Sequence, residues 1–184
     1  MLGIRHYKGL ALDLFEGDLT EFVCDVMVNA ANESLAGGSG VDGAIHQAGG
    51  PSIMEECQSI GKCPTGEAVM TNAGKLPAQK LIHTVGPIWK DGASGEEDLL
   101  KNAYLSSLRL ANKEKMRHIA FPSISTGAYG YPVPEAAKVA FKAFKQFADE
   151  NSDFHTKRIT IVLFSRADHN VYQDELFAQF PEEK

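Results

Sequence analysis

Asp25–Gly49, DVMVNAANESLAGGSGVDGAIHQAG, runs from a strand through a flexible loop into a helix start. Val26-Met27-Val28 reads as a strand buried on both faces, continuing to Ala30. Two asparagines then enclose two small residues, Asn29-Ala30-Ala31-Asn32. The glycine-rich turn Gly37-Gly38-Ser39-Gly40 follows, and a helix is expected from about Val41 to Ala48. In α/β proteins this order presents backbone N–H groups to a phosphate, and glycine lets the main chain approach without a Cβ in the way. Asp42 stands out. A carboxylate beside a phosphate cradle repels the ligand, so its presence points to a chemical task.

Outward from this stretch the chain keeps alternating. Leu10 to Glu16 reads as a strand ended by Gly17, and Asp18 as the N-cap of a short turn through Phe22. Downstream, Pro51 starts a helical stretch from Ser52 to Ser59, and Gly61 to Gly66 is a turn. Strands are expected at Glu67–Thr71 and Lys80–Val85, the second stopped by Gly86-Pro87. Asp91 to Gly95 is the most loop-like segment. Glu96 to Glu114 is a helix with Leu100, Tyr104, Leu108 and Ala111 on one face. Its basic end, Lys113, Lys115 and Arg117, is read as complementing the helix dipole rather than as a nucleic-acid patch. A strand from His118 to Pro122 leads into Ser123–Pro132. A helix follows from Val133 to Glu150, then a strand, Arg158 to Phe164, and a closing helix, Ala167 to Phe180. This pattern implies a mostly parallel or mixed sheet with helices on both faces.

The composition sets bounds. At 184 residues the chain suits one well-buried domain, and residues 1–184 are read as one unit without repeats or linkers. No apolar run approaches the roughly 20 residues that span a bilayer, and the first ten residues lack the apolar core of a signal peptide. Three cysteines without CxxC spacing suggest neither a disulfide framework nor a zinc site, and a reduced, cytoplasmic setting is expected. The net charge of −6 argues against wholesale nucleic-acid binding and leaves phosphate recognition to backbone donors.

Ligands of such folds sit at the carboxyl ends of strands. Three loops meet that condition: those after Ala30, Phe121 and Phe164. Gly38-Ser39-Gly40-Val41-Asp42-Gly43 formally matches GxGxxG, but the glycines begin late and no acidic residue ends a second strand about 20 residues on, against a Rossmann site. No GK[ST] follows a strand, against a Walker A loop. Ser125-Thr126-Gly127-Ala128-Tyr129-Gly130 offers N–H groups to the other side of a diphosphate. Tyr129 either covers a bound sugar or packs as an ordinary aromatic. Asp18 either accepts from an exocyclic amine or simply caps its turn. Phe164 stands where a base stacks. His83, in LIHTV, reads as a satisfied buried histidine, and His46 as helix surface or a supporting group.

VNAAN, GGSGVDGAIHQAGGP, LPAQKLIHTVGPIW and AFPSISTGAYGYP, in this order, resemble the MacroD-type branch of the macrodomain family, from about Gly17 to Phe164. The resemblance implies a three-layer α/β/α fold around a central mixed, mostly parallel sheet. It also implies binding of ADP-ribose, deacetylation of O-acetyl-ADP-ribose and removal of mono-ADP-ribose from acidic side chains of proteins, with no metal or cofactor. By motif position, Asp18 with the Leu19 backbone meets the adenine amine. Gly38, Ser39, Gly40 and Val41 form one diphosphate loop, and Ser125, Thr126, Gly127, Ala128 and Tyr129 the other. Phe164 flanks the adenine, and Asn32 and Asp42 sit at the distal ribose as the catalytic pair. A monomer is expected, with no membrane and no sequence-specific nucleic-acid partner. Ser39 departs from a usual run of four glycines. It is harmless at φ < 0 and costs about 1–2 kcal/mol at φ > 0.

The expected chemistry is ester hydrolysis at the distal ribose, with Asp42 orienting and deprotonating a water and Asn32 fixing the ribose hydroxyls. In an alternative, the substrate's own phosphate activates the water and Asp42 only positions it. Two rivals differ in class: a reader that binds ADP-ribose without chemistry, and a dinucleotide oxidoreductase, which would prefer NAD(H).

Overall fold

The computed structural model describes residues 3–182. A seven-stranded sheet runs in the order β1-β2-β7-β6-β3-β5-β4. Its strands are β1 (Arg5–Tyr7), β2 (Leu10–Glu16), β3 (Val26–Ala30), β4 (Ala68–Asn72), β5 (Lys80–Thr84), β6 (His118–Phe121) and β7 (Arg158–Leu163). The five inner strands are parallel, and the edge strands β1 and β4 pair antiparallel. The sheet is therefore mixed and mostly parallel, as the alternating pattern implies. β1 is the one strand that pattern reading misses. Three mixed residues carry no periodicity, but Lys8 (φ 49°) and Gly9 (φ 85°) form the two-residue left-handed turn of a tight hairpin.

Five helices cover the two faces: α1 (Gly40–Gly49), α2 (Pro51–Ile60), α3 (Glu96–Lys113), α4 (Val133–Glu150) and α5 (Arg166–Gln179). Helices α3, α4 and α5 pack on one face, where Tyr104, Phe121, Phe141, Phe144 and Tyr172 make the core. Helices α1 and α2 cover the other, over Met27, Ile45, Ile53, Cys57 and Leu81. Strand alternation sorts the side chains: Val26 and Val28 enter the first core, Met27 the second. No described helix is long and apolar enough to cross a membrane. The three cysteines are buried and free.

Element ends shift by a residue or so from the sequence reading. α1 begins at Gly40 rather than Val41, and Phe164 lies just past β7. The Asp91–Gly95 loop differs more from its sequence appearance, because it is tied down. Glu96, only 2% exposed, accepts from the N–H groups of Lys90, Asp91 and Gly92 through Oε2 and of Ser94 through Oε1 (2.6–3.2 Å). Burial alone would raise the Glu96 carboxyl, but the N–H groups of Gly92, Lys90, Glu96 itself and Asp91 win and hold it at about 2.

Candidate active site

The sheet order explains why distant motifs meet. β7, β6 and β3 are neighbours, so the three loops after Ala30, Phe121 and Phe164 open side by side at the carboxyl end of the sheet. They enclose a cleft of two joined compartments, about 270 Å³ and about 470 Å³, which share Gly40, Val41, Ser123 and Gly127. Asn32, Gly38, Ser39, Asp42, Ser125, Ala128 and Tyr129 line the smaller one. Asp18, Leu19, Thr126 and Phe164 line the larger. Every candidate catalytic or ligand-binding residue from the sequence thus lines one of the two compartments.

The first loop is built by Asn32. Its Nδ2 donates to the Gly37 carbonyl (2.8 Å), and its Oδ1 accepts from the Ala36 N–H and the Ser34 hydroxyl (both 3.1 Å). That leaves one Nδ2 hydrogen for a ligand. Gly37 (φ 78°) and Gly40 (φ 61°) take left-handed conformations, while Ser39 between them sits at φ −98°. The serine is therefore unstrained in place of glycine. Its side chain makes no cap bond, so the N–H groups of Gly40, Val41 and Asp42 at the start of α1 have no partner among the described residues. Open donors at a helix N-terminus favour an anion.

The second loop is held from below. Tyr104 Oη accepts from the Ile124 N–H (3.2 Å), and Tyr172 Oη meets Ser123 Oγ at 2.7 Å, which in turn meets Thr126 Oγ1 at 2.7 Å. Ser125 is forced to φ 66°, a conformation that costs about 1–3 kcal/mol outside glycine. Its buried hydroxyl has no hydrogen-bond partner among the described residues. The N–H groups from Ser125 to Tyr129 are likewise unpaired there. Gly86, read from sequence only as a strand stop, makes this packing possible: a Cβ there would collide with Ser125 Oγ and Ile124 Cγ2.

At the far end, Phe164 is 87% exposed, an aromatic held out over an apolar compartment. Asp18 serves its turn, with Oδ1 accepting from the Thr20 N–H (2.9 Å) and hydroxyl (2.7 Å). The N-cap reading holds, Oδ2 has no partner among the described residues, and Asp18 lines the same compartment.

Asp42, 6% exposed, lies in the first turn of α1. Its Oδ1 accepts from Asn29 Nδ2 (2.8 Å) and lies 3.3 Å from His46 Nε2. Its Oδ2 has no partner among the described residues and faces Gly38, where even a methyl group would come within 3.3 Å. One oxygen is anchored and the other is free.

Behind Asp42 runs a buried polar line that sequence reading misses, because its members are far apart in the chain. Asn29 and His83 are register partners on β3 and β5. Asn29 Nδ2 lies 3.1 Å from His83 Nδ1, and His83 Nε2 lies 2.9 Å from Thr71 Oγ1 on β4, which donates to the Asn72 carbonyl (2.9 Å). The directions are mutually fixed. Threonine donates onward, so His83 donates from Nε2 and accepts at Nδ1, and both Asn29 amide hydrogens are used. His46, Cys57 and His83 bring donor atoms within 4.8 Å of one another. Both nitrogens of His83 are engaged in this line, however, and burial pushes the Cys57 thiol up, so the grouping is polar packing rather than a metal centre.

Burial, helped by the His46 ring, lowers His83 to about 4. An unfolded histidine takes a proton near 6.5. The unfolded state therefore binds the proton first, so the stability from neutral His83 is full above about pH 6.5 and drains as pH falls towards 4. Urea unfolding at pH 7 and pH 5 should show a loss of about 2 kcal/mol from this group. That component should be missing in His83→Gln.

Comparison with known proteins agrees with this geometry. Residues 28–140 match the family pattern described as Macro domain. A macro domain-containing protein of Caldanaerobacter subterraneus subsp. tengcongensis is 50% identical over 165 residues, covering 88% of this chain and 93% of its own. An O-acetyl-ADP-ribose deacetylase of Escherichia coli strain K12 is 44% identical over 172 residues, 91% and 96% of the two chains. The Oceanobacillus iheyensis macrodomain with ADP superposes with a TM-score of 0.89 at 43% identity, covering 95% of each chain. With the sheet order, the two nitrogen-lined loops and these likenesses in agreement, the chain belongs to the macro domain family, in its MacroD-type branch.

Proposed function

We propose that this protein is a hydrolase that binds ADP-ribose and cleaves esters at its distal ribose, deacetylating O-acetyl-ADP-ribose and releasing mono-ADP-ribose from acidic side chains of proteins. The observation that carries this reading is the half-anchored Asp42, which keeps Oδ2 free and lines the same compartment as two loops with unpaired N–H groups. The naming of the Escherichia coli relative as an O-acetyl-ADP-ribose deacetylase and the ADP in the Oceanobacillus structure support it.

In this reading the base stacks on Phe164 with its amine towards Asp18 and the Leu19 backbone. The diphosphate lies between Gly38–Val41 and Ser125–Tyr129. The remaining Asn32 Nδ2 hydrogen holds a ribose hydroxyl. Asp42 Oδ2 takes a proton from a water as that water adds to the ester carbonyl. The C–O bond to the ribose then breaks, and the ribose oxygen leaves as a hydroxyl by taking the proton that Asp42 has accepted. The loop donors hold substrate and transition state alike, so they set KM more than kcat.

Two measurements test the proposal on the wild-type protein. Calorimetry should show ADP-ribose bound in preference to NAD(H), with Phe164→Ala weakening it about tenfold, the scale of one lost base–aromatic stack. Incubation with O-acetyl-ADP-ribose and with a glutamate-modified protein should release acetate and ADP-ribose respectively. Tight binding without turnover would instead identify a reader.

A further inference from the structure

A second groove, about 490 Å³, adjoins the catalytic end of the cleft and shares Gly86 and Tyr129 with it. The ADP-ribose reading leaves it unused. One wall is the segment after β5, with Ile88 and Lys90; the other is the turn after Asn32, with Glu33 and Ser34, and Thr65 beside it.

Both walls are fixed in place. The Glu96 carboxylate gathers four N–H groups of the segment Lys90–Ser94, and the Trp89 N–H donates to the Tyr129 carbonyl (2.8 Å), tying this wall to the second diphosphate loop. Opposite, Glu33 Oε1 accepts from the Thr65 N–H (3.1 Å) and hydroxyl (2.7 Å). Burying a carboxylate to hold a loop outside the catalytic compartment is costly. What it achieves is a preorganised surface. That surface carries Ile88, a 57% exposed aliphatic side chain, and the Lys90 ammonium, which makes no ion pair among the described residues.

We propose that this groove receives the polypeptide that carries the ester: the residues flanking an ADP-ribosylated glutamate or aspartate, with an apolar neighbour on Ile88 and an acidic one at Lys90. The inference rests on the hydrolase reading above and deepens it. Its main argument is continuity. In the hydrolase reading the ester sits on the distal ribose beside Asp42, and the catalytic compartment adjoins the groove at Gly86 and Tyr129, the residues common to both spaces. An acetyl group ends in a methyl and has no chain to send along the groove. A glutamyl side chain carries its backbone several ångströms further, and an extended chain then advances about 3.3 Å per residue, which brings the residues flanking the modified one to the groove.

The test compares two substrates in one set of variants. Ile88→Asp and Lys90→Glu should each raise KM for a mono-ADP-ribosylated glutamyl peptide about tenfold, the discrimination one pocket contact supplies. KM and kcat for O-acetyl-ADP-ribose should stay within about twofold, because neither residue lines the catalytic compartment. Equal effects on both substrates, or none on the peptide, would overturn the assignment. So would wild-type turnover of O-acetyl-ADP-ribose without turnover of the peptide. Should the wild type hydrolyse neither, the hydrolase reading itself falls. The groove is then decided by calorimetry in an Asp42→Ala background. A modified peptide that binds tighter than free ADP-ribose, with the excess lost in Ile88→Asp, upholds it, and equal affinities overturn it.

Discussion

Asp42→Ala is expected to lower kcat on O-acetyl-ADP-ribose by about 10²–10⁴-fold, the range for loss of a general base, while ADP-ribose still binds as tightly or slightly more so. The split follows from the proposed division of labour in the cleft. In that proposal affinity comes from N–H groups of two loops that the substitution leaves in place, and the substitution removes an anion that opposes the diphosphate. Rate is assigned to the one Asp42 oxygen with no partner among the described residues. Asp42→Asn separates the two proposed roles of the side chain. It keeps an oxygen able to accept from Asn29 at 2.8 Å but cannot take a proton at neutral pH. If Asp42 is the base, the asparagine variant should be as slow as the alanine one. If the substrate's phosphate activates the water and Asp42 only holds it, the asparagine variant should keep most of the activity. Steady-state kinetics with matched calorimetric titrations checks both. Wild-type turnover by Asp42→Ala would remove the residue from the chemistry altogether.

What the sequence made legible and what it hid divide along a physical line. The strand Val26–Ala30 and the glycines after it announce themselves, because a doubly buried strand and a phosphate loop each use local residue types for a local purpose. Phe164 was legible for the same reason, as an aromatic at a strand end. Hidden were the residues whose meaning lies in a distant partner. Asn29 shows only as one of two asparagines in VNAAN, and periodicity gives its burial but not the strand register that sets it against His83. Gly86 looks like a strand stop, yet its lack of a side chain admits Ser125. Glu96 reads only as the first residue of a helix, and the folded loop alone shows its carboxylate turned back onto four N–H groups. A glutamate directly after a glycine-bearing loop was the one local hint. The Asp91–Gly95 stretch is the loop its composition announces, but composition carries no record of the buried clamp that holds it.

Asn29→Asp should be nearly as damaging to turnover as removing Asp42, and the reason is the hydrogen-bond chain rather than any contact with substrate. The change is isosteric. It places a carboxylate oxygen where the amide nitrogen stood, 2.8 Å from Asp42 Oδ1 and 3.1 Å from His83 Nδ1. Two buried carboxylates that close cannot both ionise at neutral pH and share a proton between them. His83 offers partial relief by taking up a proton itself, at the cost of charging a ring that burial keeps neutral. The expected result is a kcat lower by about 100-fold or more at pH 7, the scale of a lost positioning contact, with the acid limb of the pH–rate profile moved upward. Asn29→Ala is the control. It removes the same donor without adding charge, so it should lose rate and about 1–3 kcal/mol of stability for the orphaned acceptors, with a smaller upward move of the acid limb than Asn29→Asp, because the carboxylate loses one hydrogen bond but gains no like-charged neighbour. ADP-ribose affinity should hold in both variants, since neither touches the loop donors. A profile for Asn29→Asp that overlays the wild type would show that the strand-borne amide does not set the state of Asp42. A shifted profile with intact binding would put the proton on Asp42 under the control of a residue buried behind it.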